Sequence, residues 1–137
     1  MTAEKPILKA PLYGRIARIS RPKLNAPGVH EGVQMLDGRV AHISWERRTQ
    51  ICSFEEFASG HSIRLEHLVP NDLSIHALNA LNAEIRRNAS YDLLAYNCEI
   101  FARRVVLQKS ESPQVGFWMV VLTIAGILYA SGNKLST

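Results

Sequence analysis

Apolar and polar positions change their period several times along the chain, and each change marks an element. Arg15–Ser20 sets Ile16 and Ile19 among basic residues and is expected as an edge strand. Pro22 to Gly28 follows with two prolines, an asparagine and a glycine, the composition of a loop. Val29–Leu36 and Arg39–Trp45 then flank Asp37-Gly38, a strong short-range hairpin signal. Ser53-Phe-Glu-Glu56 has capping-box spacing and predicts a short helical turn that stops at Ser59-Gly60. Ser62–Val69 alternates Ile63, Leu65 and His67 with Arg64, Glu66 and Leu68, which predicts another strand. Pro70-Asn71-Asp72 supplies a start for a helix over Leu73–Asn88, with Ala77, Leu81 and Ile85 on one stripe. A second helix is expected from near Tyr96-Asn97 to about Lys109. Strands precede helices, so the class is α+β, a small antiparallel sheet packed against helices.

The pattern fails at the end of the chain. Val115–Ala130 holds no charge, and widening it to Pro113–Gly132 reaches a length that suits a spanning helix, roughly 17–25 residues. Trp118 and Tyr129 stand near its two ends, where amphipathic rings favour the headgroup layer. Apolar side chains occupy every face of this segment rather than one stripe, so a single transmembrane helix is expected over 113–132. Arg103, Arg104 and Lys109 precede it and Lys134 alone follows, which places the main domain on the cytoplasmic side of a membrane.

Composition narrows the picture. The 137 residues fit one domain beside that segment, and 47% hydrophobic against 20% charged residues exclude a disordered chain. No 20–50-residue repeat is present, which excludes solenoids and propellers. Two cysteines, Cys52 and Cys98, exclude a disulfide scaffold and a four-thiolate zinc site. The start lacks the apolar run of a secretory signal, so both thiols are expected free. Lys5, Lys9, Arg15, Arg18, Arg21 and Lys23 face only Glu4 in the first 23 residues. Tyr13 is the one aromatic residue among these cations, too little for a stacking platform, so residues 1–12 are expected as a solvated basic arm and nucleic acid is not expected as a partner.

Candidate chemistry sits first on the hairpin, which carries His30 and His42. A two-residue Asp37-Gly38 loop would send the two rings to opposite faces. A three-residue Leu36-Asp37-Gly38 loop pairs Met35 with Arg39, sets His42 opposite Gly32 and brings both rings to one face as diagonal neighbours, roughly 7–8 Å apart. Gly38 suits the left-handed position of such a turn. The second element is Cys98, expected in the first turn of its helix. There, free N–H groups and the helix dipole favour a thiolate. Cys98, Phe101, Ala102 and Val105 share a face, which turns the sulfur toward the sheet. A neutral imidazole within reach, oriented by a further polar group, completes a nucleophile–base unit.

Val29-His-Glu-Gly-Val-Gln-Met-Leu-Asp-Gly-Arg-Val-Ala-His42 resembles the H-box of the lecithin retinol acyltransferase-like proteins. Tyr91-Asp-Leu-Leu-Ala-Tyr-Asn-Cys-Glu-Ile-Phe101 is similar to their Asn-Cys motif, with Ile100 where Asn-Cys-Glu-His-Phe has its histidine. The order His, His, Cys and a hydrophobic C-terminal anchor match as well, and the resemblance covers roughly Tyr13 to Val106. It implies a permuted papain-like fold of the NlpC type. It also implies that Cys98 is the acyl-accepting nucleophile, His30 the general base and His42 the orienting member. The chain then divides into the arm (1–12), a catalytic domain (13–110), the membrane helix (113–132) and a short tail (133–137).

The function so implied is a membrane-anchored thiol acyltransferase or phospholipase. It takes an acyl group from a phospholipid or other acyl ester through a thioester, with no cofactor. Two readings stand beside it: an NlpC-type cysteine peptidase or amidase, and a non-catalytic regulator that keeps the fold. Glu31 and Gln34 stand where many relatives carry aromatic or aliphatic residues, which bears on substrate choice. Zinc held by His30, His42 and Cys98 is chemically open but lacks a local metal motif. Cys52 is expected as a packed free thiol, and His61, His67 and His76 as solvated or capping residues.

Overall fold

The computed structural model describes residues 4–92, 97–108 and 122–131. Its frame is a six-stranded antiparallel sheet. The strands are β1 (Ile7–Leu8), β2 (Ala17–Pro22), β3 (Val29–Gln34), β4 (Val40–Ser44), β5 (Arg48–Cys52) and β6 (Ile63–Leu68), ordered β1-β6-β2-β3-β4-β5 across the sheet. Three helices pack on it: α1 (Phe54–Ala58), α2 (Ser74–Arg87) and α3 (Cys98–Val105), with a single 3₁₀ turn at Asn71–Leu73 leading into α2. The class is α+β, as the order of periods implies.

Strand alternation gives the sheet two buried faces. Ala17 and Ile19 of β2, Val40 of β4 and Ile63 of β6 pack with Phe54 and Phe57 of α1. Val33, Ala41 and Ile43 face the other way, against Ala77 and Leu81 of α2 and Cys98, Phe101, Ala102 and Val105 of α3. Successive side chains on a strand point to opposite faces, so each position's parity decides which helix it meets.

The hairpin turn is the three-residue form. Met35 N–H donates to the Arg39 carbonyl at 2.7 Å, Gly38 N–H donates to the Met35 carbonyl at 3.0 Å, and Gly38 has φ 89°. A Cβ there would also lie 2.8 Å from the Tyr13 ring, so both backbone and space call for glycine. The capping box likewise forms: Ser53 Oγ accepts from Glu56 N–H at 3.0 Å, and Ser59 closes α1 in the left-handed region.

Three expectations differ from the structure. The strand at Arg15–Ser20 is not an edge: β6 pairs along one side of it and β3 along the other. Residues within the expected arm join the sheet, since β1 pairs with β6, Lys5 bridges to Glu66, and Leu12 N–H donates to Gln34 Oε1 at 2.6 Å. The strand β5, absent from the reading of the pattern, adds the edge beyond β4. Of the expected membrane span only a part is described, and among the described residues no helix is long and apolar enough to cross a membrane. Residues 122–131 are helical and exposed, including Leu122, Ile124, Ile127 and Leu128, while 113–121 and 132 of the expected span lie outside the described residues.

Candidate functional site

The register of β2 to β5 builds a polar row across the α1 face. Arg21 of β2 lies directly opposite His30 of β3, and His42 of β4 lies directly opposite Gln50 of β5. Cys52, two positions further along β5, pairs with Val40 and therefore faces the same side. His30 Nε2 meets His42 Nδ1 at 2.9 Å, and the two rings stand edge to face with centroids 5.0 Å apart. His42 Nε2 meets Cys52 Sγ at 3.5 Å. Thiol, imidazole and imidazole thus form one hydrogen-bonded line. If the Cys52 thiol donates to His42 Nε2, the Nδ1–H of His42 donates to His30 Nε2, and the direction is consistent along the line.

Phe57 roofs the line. Its ring centroid lies 5.6 Å from that of His30 and 5.4 Å from that of His42, and it takes the Arg21 guanidinium on its face at 5.3 Å. Arg21 Nε also donates to the Phe57 carbonyl. Gly32 makes the approach feasible, because a Cβ at that position would fall 2.9 Å from the Phe57 ring and 2.8 Å from Val40. Burial beneath Phe57 pushes His30 down to about 3, with His42, Arg21 and Lys23 adding to the effect. Burial and then Arg21 push His42 down to about 4. Both rings are neutral at physiological pH, the state a base or a proton relay needs.

Cys98 occupies the first position of α3, as expected. Asn97 caps that helix, its side-chain oxygen accepting from Glu99 N–H at 3.1 Å and Ile100 N–H at 3.0 Å. The sulfur is buried at 3% exposure and belongs to the α2/α3 side of the sheet, opposite the histidines. Among the described residues no hydrogen bond joins it to His30 or His42. It accepts instead from the backbone N–H of Glu31. Burial raises this thiol above its ordinary value despite that bond, and burial likewise raises Cys52.

The Glu31 bond has a cause in the register. Met35 and Arg39 form a bonded pair, bonded pairs recur at every second residue, and so Glu31 N–H points toward β4. The β3–β4 ladder stops at Val33–Ala41, which leaves that N–H free for the sulfur. At the same open end lies a cavity of about 660 Å³, lined by His30 and His42 from one face and by Ile43 and Tyr91 from the other. Trp45 stands at its mouth with its ring 5.6 Å from Tyr91.

The structure therefore brings His30 and His42 together on one face through the expected turn, and keeps Cys98 across the sheet from them. Cys52 and Arg21 are the site residues that sequence reading missed. Cys52 enters only through β5, whose link from β4, Trp45-Glu46-Arg47, carries no turn residue to mark it. Arg21 enters through its pairing with His30. Among the described residues no group of three or more His, Cys, Asp or Glu side chains is placed to hold a metal ion. A scan against protein-family models and searches of the curated proteins and of the solved structures each found no match for the chain.

Proposed function

We propose that this chain is a cysteine-dependent acyl-transfer enzyme of the lecithin retinol acyltransferase-like class, with a permuted papain-like fold. Its acyl donor is a phospholipid ester at a membrane surface. The observation that carries the reading is the neutral, hydrogen-bonded imidazole pair opening onto a cavity of about 660 Å³. The exposed apolar helix over 122–131 supports attachment to the bilayer that holds the donor, with the main domain on the cytoplasmic side.

In this reading Cys98 is the nucleophile, His30 the base and His42 the residue that orients it. The imidazole takes the thiol proton as sulfur attacks the ester carbonyl. The tetrahedral intermediate then expels the lysolipid alkoxide, which receives that proton and leaves a thioester. Water or an amine, deprotonated by the same imidazole, attacks the thioester and restores the thiol. The N-terminal position of Cys98 on α3 and the Glu31 N–H on its sulfur support the role, and the open end of β3 and β4 is where thiol and imidazole would meet. The 3.5 Å contact of Cys52 with His42 favours a second reading, in which Cys52 is the nucleophile, His42 the base and His30 the orienting residue.

The test is phospholipid ester turnover by Cys98→Ser, Cys52→Ser, His30→Ala and His42→Ala, with mass spectrometry for an acyl adduct. The first reading expects Cys98→Ser to lose the adduct and at least about 10³-fold in rate, with Cys52→Ser near wild type. The second expects the reverse. In the first, His30→Ala costs more than His42→Ala, and in the second the order inverts. Retention of turnover by both cysteine variants overturns the thiol mechanism. No turnover of any ester by wild-type chain leaves the regulator or the amidase.

A further inference from the structure

Three cations line the cavity beside the imidazole pair: Arg21, Lys23 and Arg47. One acid, Glu46, shares the lining. Among the described residues none of the three cations forms an ion pair, whereas Lys5, Arg18, Arg39, Arg87, Arg103 and Arg104 each do. Arg21 is held in place by the Phe57 carbonyl and ring, so its charge is fixed in the cavity lining. Lys23 starts the loop after β2, where its N–H donates to the Gly28 carbonyl at 3.0 Å, and Arg47 sits in the β4–β5 link. Unneutralised cations converging on a concave, partly desolvated wall attract an anion more strongly than the same charges spread on open surface.

We infer that this cavity is an anion-binding subsite, and that the ligand it takes carries a net negative charge, of phosphate type, beside the group that meets His30 and His42. The inference rests on the acyl-transfer reading only for the identity of the reacting group. On that reading it selects donors whose headgroup is anionic over those whose headgroup is zwitterionic, because a choline or ethanolamine ammonium would face Arg21 and Lys23. Guanidinium and ammonium groups both suit a phosphate, the former in paired N–H contacts and the latter as a point charge. Binding is linked to the imidazoles. Burial depresses both rings first, Arg21 adds to the effect at both and Lys23 at His30, so an anion seated among these cations offsets their part and raises His30 and His42 toward the ordinary imidazole value.

The experiment uses the full chain with inorganic phosphate, dihexanoyl phosphatidylglycerol and dihexanoyl phosphatidylcholine, read by NMR titration of the two imidazoles and by ester turnover. The glycerol lipid is expected to saturate at about tenfold lower concentration than the choline lipid, a difference of about 1.4 kcal/mol, and to raise both ring pKa values. An effect of phosphate alone on the rings assigns the subsite to the phosphate group itself. An effect of the anionic lipid without one of phosphate assigns it to headgroup and chain together. The double variant Lys23→Gln, Arg47→Gln, which keeps Arg21, is expected to narrow that preference with an unchanged urea midpoint. Equal affinity of wild-type chain for the two lipids, or a preference undiminished in the double variant, overturns the inference. Turnover without charge preference leaves the acyl-transfer reading standing while the subsite falls; anion binding with raised ring pKa values and no turnover does the opposite.

Discussion

At the scale of residues, the site depends on how one phenylalanine and one glycine let two imidazoles lose water. Gly32 admits the Phe57 ring against both histidines, and that contact removes the solvent that would stabilise imidazolium. Both rings are therefore expected to show no titration by NMR from pH 8 to 5, with inflections near 3 for His30 and 4 for His42. Phe57→Leu, which keeps most of the apolar volume, is expected to move both inflections upward by about one unit as water reaches the rings. Inflections that stay in place would mean that Phe57 does not set the imidazole charge. His30 and His42 were legible as a pair because the loop length fixes strand parity, and parity needs only counting. Cys52 was not, because its place depends on where β5 begins, and nothing in Trp45-Glu46-Arg47 marks that start.

At the scale of elements, α3 is short, and its first turn carries the thiol that the resemblance singles out. One side chain, Asn97, satisfies two of its free N–H groups in a buried setting. Asn97→Ala is expected to lower stability by about 1–2 kcal/mol, and Ser53→Ala, which loses a single exposed cap bond on α1, by about 1 kcal/mol or less. Urea midpoints of the two variants check the order; a larger loss at Ser53 would show that the α3 cap is not what holds the Cys98 turn. The helix starts, the hairpin and the α1 stop were readable because caps and turns are local chemistry. Strand neighbours were not. Whether Ala17–Pro22 is an edge depends on where β6 lands some forty residues later, and no local signal carries that.

At the scale of the whole molecule, the sheet separates two buried polar systems that respond to pH in opposite directions. On the α1 face the histidines are depressed, so their contribution to stability is complete above the unfolded value of 6.5 and is lost as pH falls toward 4 and 3. On the α3 face Glu31 is held up to about 7, by burial first, against the attraction of Arg18 at 3.4 Å. Its folded value is raised above 4.5, so its contribution is complete below 4.5 and declines as pH rises through 7. The two trends oppose each other between pH 4.5 and 6.5. Glu31→Gln removes one of them, and the loss of stability from pH 8 to 5.5 is expected to grow by about 1–2 kcal/mol relative to wild type. Urea unfolding at the two pH values measures it, and an equal or smaller loss in the variant would show that Glu31 is ionised throughout.

Local signals were enough for β2, β3, β4, β6 and the three helices, the three-residue turn, the α1 cap and the side of the hairpin that its histidines share. Each depends on residues within about a dozen positions of one another, where backbone geometry leaves few choices. The tertiary structure alone decided the strand order, the attachment of residues 7–8 to β6 and the partners of the imidazole pair. A sheet with two covered faces assigns each side chain to one helix layer or the other by register. That register placed Cys52 beside His42 and put Cys98 behind β3.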